Sequence, residues 1–219
     1  MSRFPLPRTS VIREKWILDH CRGKIVLHLG AADWPFTRDR IQHGEWLHAK
    51  ITDVATRCLG IELNAEAVAE LAAKNGVTNL VAGDCEQLGL LGLEPADVIV
   101  AGELIEHLPN PGFMLRGMRL LLRPGGILLI TTANAHCLRR TLLALSGHES
   151  VHPDHIAFHS HRTLSHLAAM HGLAVVEQFN YALPAGPLVP LASRLFEGLA
   201  TTLCPAWGEG IAHAYRLEG

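Results

Sequence analysis

The sequence predicts an α/β fold, an open and mostly parallel sheet with helices on both faces. Three observations carry that expectation. Short apolar runs recur at Ile25–Leu29, 57–61, 98–101 and 127–130, long enough for buried strands and too short for independent helices. Stretches with apolar residues at helical spacing separate them. The chain of 219 residues, 48% of them hydrophobic, suffices for a substantial core and fits one domain over 1–219.

Taken in order, residues 1–8 are polar and proline-bearing and read as an extended lead-in, part of an N-terminal helical element over 1–22. Ser10 is placed to cap a helix over 11–21, with Ile12, Trp16 and Ile17 as its buried face. The first strand, Ile25–Leu29, ends at Gly30, where a turn brings backbone close to a ligand and opens a helix N-terminus that receives a carboxylate. A helix is expected over 37–55, with Ile41, Trp46, Leu47 and Ile51 on its apolar side. The second strand ends at Glu62, and a carboxylate there accepts two hydrogen bonds from a ribose diol. Asn64 caps the next helix, which carries Val68, Leu71 and Ala72 and closes at Asn75-Gly76. The third strand, 79–82, runs into Gly83-Asp84-Cys85.

Residues 97–134 read as strand, acidic loop, amphipathic helix, PGG turn and strand. Pro111 suits a first helical turn, and Phe113, Leu115, Met118, Leu121 and Leu122 follow at roughly helical spacing. Pro124, Gly125 and Gly126 are expected to end the helix. The segment GELIEHLPNP places Glu103, Glu106 and His107 at the carboxyl end of a central strand, where open α/β sheets bind ligands. Beyond Asn134 a helix through Leu138, Leu142 and Leu145 is expected, followed by a loop over 146–160. His148, His152, His155, His159 and His161 crowd into fourteen residues there, above the same sheet edge as Glu106. A helix over 160–172 with Leu164, Leu167 and Met170 inward leads to a strand from Leu173 toward Tyr181. Residues 182–209 read as a lid or helical hairpin before a last strand over 211–217.

A net charge of −2 and a pI near 6.7 leave no overall basic footprint, which argues against DNA and disfavours RNA as a partner. Five cysteines, at 21, 58, 85, 137 and 204, are scattered singly and point to a reducing, cytoplasmic setting. No run approaches the roughly 18 to 20 apolar residues of a membrane span, so no membrane partner is expected. An apolar segment such as 187–204 offers a surface for a homodimer.

The pairing of EHLPNP with LLRPGG resembles the motif IV to motif V region of class I S-adenosylmethionine-dependent methyltransferases, and the resemblance runs through nearly the whole chain from about residue 20. It implies a Rossmann-like sheet of seven strands with the last antiparallel, S-adenosyl-L-methionine as cofactor, and methyl transfer to O or N of a small-molecule acceptor such as a sugar or secondary metabolite. It also implies cofactor contacts from Gly30 and Ala31, from Glu62 and Leu63, from Asp84 and the Cys85 N–H at the adenine, and from Gly102 and Glu103. The glycine turn departs from the family pattern: His28 stands at its acidic position, and Ala32 and Trp34 replace its later glycines. Asp33 is the candidate to supply the missing negative charge near the ligand's ammonium group.

Two chemistries are open on the acceptor side. Without a metal, His107, Glu106 or His155 takes the acceptor's proton. With one, ELIEHL and DHIAF are similar to motifs of small-RNA 3′-terminal 2′-O-methyltransferases, which implies Glu103, Glu106, His107 and His155 around Mg²⁺ or Mn²⁺ and an RNA end as acceptor. A non-catalytic binding protein on a degenerate methyltransferase fold is the alternative outside catalysis, motivated by the missing glycines. A nicotinamide oxidoreductase is disfavoured because GxGxxG is absent.

Overall fold

The apolar runs pair into one sheet in the computed structural model, which describes residues 5–182 and 198–218. Its strands are β1 (Ile25–Leu29), β2 (Arg57–Glu62), β3 (Leu80–Ala82), β4 (Ala96–Gly102), β5 (Leu122–Ala133), β6 (Leu173–Tyr181) and β7 (Gly210–Leu217). They lie in the order β3-β2-β1-β4-β5-β7-β6. Neighbours from β3 to β5 are parallel, and β7 runs antiparallel to both β5 and β6. This is the seven-stranded arrangement, with the last strand antiparallel, that the resemblance implies.

Helices α1 (Arg13–Cys21), α2 (Thr37–Gln42), α3 (Leu47–Val54), α4 (Ala65–Asn75), α5 (Pro111–Leu121), α6 (Leu138–Leu145) and α7 (His161–Ala169) connect or flank the strands. Successive strand residues point to opposite faces. In β4, Val98 and Val100 pack with Trp16, Ile17 and Ile51 from α1 and α3, whereas Ile99 and Ala101 pack with Met114, Leu115, Met118 and Leu164 from α5 and α7. Both faces being covered, the strand is apolar throughout rather than alternating.

Several boundaries differ from the sequence-based expectation. Ser10 does not cap α1: it bridges to Asn180, and the helix starts after Ile12, which is exposed. The expected single helix over 37–55 is two, α2 and α3, interrupted at His43 and Gly44. Helix α5 ends at Leu121, and Leu122 already pairs with Ala96, so β5 begins ahead of the PGG turn. In α6 no residue is buried, and Met170, past the end of α7, is exposed. Asn64 and Gly76 do bracket α4: the Asn64 side chain accepts from the Ala67 N–H, and Gly76 adopts the left-handed conformation. Most of the expected lid, residues 183–197, lies outside the described residues, as does most of the segment considered for dimerisation; residues 198–203 are helical.

Candidate active site

Parallel pairing aligns the strand ends. Leu29 lies opposite Ile61 and Ala101, Glu62 opposite Ala82, and Gly102 opposite Thr131. The loops carrying Gly30, Glu62, Asp84 and Glu103 therefore emerge along one edge, as the sequence implies. Gly30 takes φ +68°, a conformation open to glycine at little cost, and its N–H bonds to the Ile61 carbonyl at 2.9 Å. The residues standing where later glycines were expected leave the turn ordered. Ala31 and Ala32 are buried; the Ala31 carbonyl accepts from Trp46 Nε1 at 2.9 Å, and the Ala32 N–H donates to Glu62 at 3.1 Å. His28, in place of an acid, is buried against the His48 ring, and desolvation pushes its pKa well below the ordinary value, keeping it neutral.

Asp33 does not present a free carboxylate: it forms an ion pair with Arg40. Trp34 is partly exposed. Glu62 also accepts from the Asn64 N–H at 3.1 Å, which leaves a carboxylate half its acceptor capacity. Leu63 stays 73% exposed beside it. Asp84 accepts from the Glu86 N–H at 2.8 Å and from Gln87 Nε2 at 3.0 Å. The half-buried Cys85 side chain packs on the main core, and burial pushes its thiol up to about 12, so it stays protonated.

The charged centre of this edge is a residue that the motifs do not single out. Arg13, in the first turn of α1, donates from Nε to Thr131 Oγ1 at 2.9 Å and lies 3.7 Å from Glu103 Oε1. Its guanidinium covers Gly102 so closely that a Cβ there would stand 2.5 Å from Nη2. A basic residue opening the helix before β1 is the signal the sequence offers, while the apolar spacing of that helix points to packing. Glu103, at φ +52°, also accepts from the hydroxyl of Tyr181, which is buried at the end of β6. Burial and the Glu103 charge raise the Tyr181 pKa, so the phenol stays protonated and donates.

Glu106 is 0% exposed. Its Oε2 accepts from Thr132 Oγ1 at 2.8 Å, while Oε1 has no partner. Burial, then the Glu103 charge, raises its carboxyl to about 7. Glu106 holds β5, and its backbone carbonyl accepts from the Ile156 N–H at 2.9 Å, tying down the histidine loop. That bond brings His155 beside His107, with ring centroids 4.6 Å apart and edge to face. Among the described residues the group with metal-ligand spacing is His107, His152 and His155, without Glu103 or Glu106, whose carboxylates accept from Tyr181 and Thr132. Of the other loop histidines, His159 is buried, His148 bonds to Ser146, and His161 joins a buried chain with His213 and Asn180.

A family described as a methyltransferase domain matches residues 30–178. The chain belongs to the S-adenosylmethionine-dependent methyltransferases. A ubiquinone biosynthesis O-methyltransferase of Paraburkholderia phytofirmans is 32% identical over 155 residues, covering 67% of this chain and 61% of that protein. The chain thus spans about three-fifths of that relative's length. Two methyltransferase structures show the shared fold. One, from Archaeoglobus fulgidus, has a TM-score of 0.60 at 14% identity, covering 93% of this chain and 90% of that one. The other is the N-methyltransferase NodS from Bradyrhizobium japonicum WM9, in complex with S-adenosyl-L-homocysteine, with a TM-score of 0.56 at 16% identity over 94% of this chain and 86% of that one.

The strand-end residues of this methyltransferase fit the family's cofactor. Arg13 is a cation for a carboxylate, Glu62 retains acceptor capacity for a diol, and the exposed Leu63 offers an apolar surface for a purine face. The irregular glycine turn does not oppose that fit, since Trp46 and Glu62 hold it in place of the missing glycines.

Proposed function

We propose that this methyltransferase transfers the methyl group of S-adenosylmethionine to a hydroxyl oxygen of a small molecule. The observation that carries the reading is the pair of opposite charges at the strand ends, Arg13 over Gly102 and Glu62 on the first turn. The cofactor, when bound, supplies an electrophilic methyl on sulfur. Arg13 binds its carboxylate, Glu62 accepts from its ribose, and Asp84 with the Cys85 N–H meets its adenine; Gly30, Ala31, Gly102 and Glu103 line the path between. Transfer relieves a positive charge, so positioning lowers most of the barrier. A hydroxyl acceptor must also lose its proton, and the half-buried imidazoles of His107 and His155 stand next to this edge as candidates to take it. Glu106 acts by positioning, through Thr132 and Ile156.

Two observations favour a small oxygen acceptor. The relative named above is called an O-methyltransferase. An open cleft of about 540 Å³ lies beside the histidine loop, lined by Ala135, Arg140, Ala144, His148 and Phe158 among others, a size suited to a small molecule. The test is calorimetric titration of S-adenosylmethionine and S-adenosylhomocysteine into the full chain and into Glu62→Ala. Micromolar binding that the substitution weakens supports the reading. Absence of binding by either nucleotide overturns it and favours a binding protein on a degenerate fold.

A further inference from the structure

We propose that His107, His152 and His155 form a binding site for a divalent transition metal of the zinc type, with a coordination position left open to an oxygen of the acceptor. The proposal deepens the reading above only in the role of that open position, where a bound ion would polarise the acceptor hydroxyl in place of direct proton removal by His107 or His155; occupancy of the site stands apart from it. Each histidine offers one ring nitrogen, and the three nitrogens lie within 4.8 Å of one another. Tetrahedral zinc with Zn–N bonds of about 2.0–2.1 Å spaces its ligands roughly 3.4 Å apart, so modest rotation of the loop side chains closes the set.

The surroundings prepare the ring nitrogens. His107 Nδ1 lies 3.1 Å from the Asp154 carbonyl. A carbonyl only accepts, so Nδ1 carries the proton and Nε2 holds a free lone pair. Fixing one ring nitrogen by a backbone carbonyl is how metal-bound histidines are commonly oriented. His155 Nδ1 is buried with no hydrogen-bond partner, which a ligand would relieve. His152 is exposed, and its Nδ1 receives only a long, 3.3 Å hydrogen bond from the Asp154 N–H, so its ring can turn. The Asp154 carboxylate, 3.8 Å from that nitrogen, supplies a negative charge outside the ligand set. The Ile156 N–H bond to the Glu106 carbonyl holds the two segments together before any ion binds.

The donor set selects the metal class. Three neutral imidazoles suit Zn²⁺, Co²⁺ or Ni²⁺, whereas Mg²⁺ requires oxygen ligands. Three protein ligands leave a position free, as in catalytic rather than structural zinc sites.

The experiment is titration of Co²⁺ into the chelator-treated chain, followed by visible absorption, with Zn²⁺ as competitor. One equivalent should bind and be displaced by Zn²⁺ but not by millimolar Mg²⁺. His152→Ala, on an exposed loop, should weaken Co²⁺ binding at least about tenfold, while His148→Ala leaves it unchanged. No cobalt spectrum, or equal affinity in wild type and His152→Ala, overturns the site. Loss with Glu106→Gln but not with His152→Ala also overturns it and moves the ion to the glutamates. S-adenosylhomocysteine titrated into the same samples separates the two readings: metal binding without nucleotide binding defeats the proposed function and leaves the metal site standing.

Discussion

Arg13 shows how one residue defines the chemistry of a strand edge. Its guanidinium touches Thr131, faces Glu103 and covers Gly102, three contacts separated by up to 118 positions in sequence. A charge-assisted hydrogen bond contributes about 1.5–3 kcal/mol, so Arg13→Ala should weaken S-adenosylhomocysteine roughly 10- to 100-fold in a calorimetric titration. Unchanged affinity would remove Arg13 from the cofactor site. Glu62 behaves differently because its carboxylate also satisfies the Ala32 and Asn64 N–H groups, so loss of the side chain perturbs the turn as well as the ligand contact. Glu106 and Asp33 each have a protein partner already: one is buried on Thr132, the other is paired with Arg40.

At the scale of elements, helices α6 and α7 carry similar leucine patterns and play different parts. In α7 a capping box joins Ser160 and Thr163, and Leu164 is fully buried. In α6 Leu142 and Leu145 are exposed. Ser160→Ala should therefore cost about 1 kcal/mol in urea unfolding, whereas Leu145→Ser should stay within about 0.5 kcal/mol. A large loss with Leu145→Ser would mean that the α6 face is covered in solution. The turn after β1 makes a related point. Side chains from Trp46 and Glu62 hold it where other members of the family use glycines, so a degenerate motif in sequence is not a degenerate turn in space.

For the whole molecule, buried histidines couple folding to pH. Burial pushes His48 down to about 4, His213 to about 3 and His28 well below its ordinary value, the last two also lowered by a neighbouring histidine. The unfolded chain binds these protons near pH 6.5 and the folded chain does not, so stability is complete above 6.5 and falls as pH drops toward 4. Each histidine contributes up to about 1.4 kcal/mol per pH unit in that window. Glu106 runs the other way, since its raised carboxyl binds an extra proton in the fold between about 4.5 and 7, and it offsets one of the three. Urea unfolding at pH 7, 6 and 5 should show the decline, with a shallower slope for His213→Gln; a flat profile would contradict it. The sequence by itself determined the α/β class, the first strand to the residue, the position of Glu62 and Asp84, and the caps of α4, because buried parallel strands are continuous apolar runs and caps are local chemistry. Only the tertiary structure decided that Arg13 covers Gly102, that Tyr181 donates to Glu103, that Glu106 is sealed from solvent, and that His152 rather than a glutamate joins His107 and His155. Those contacts join segments with no shared periodicity, and side-chain direction across a sheet edge follows from how the strands pack, which local sequence does not encode.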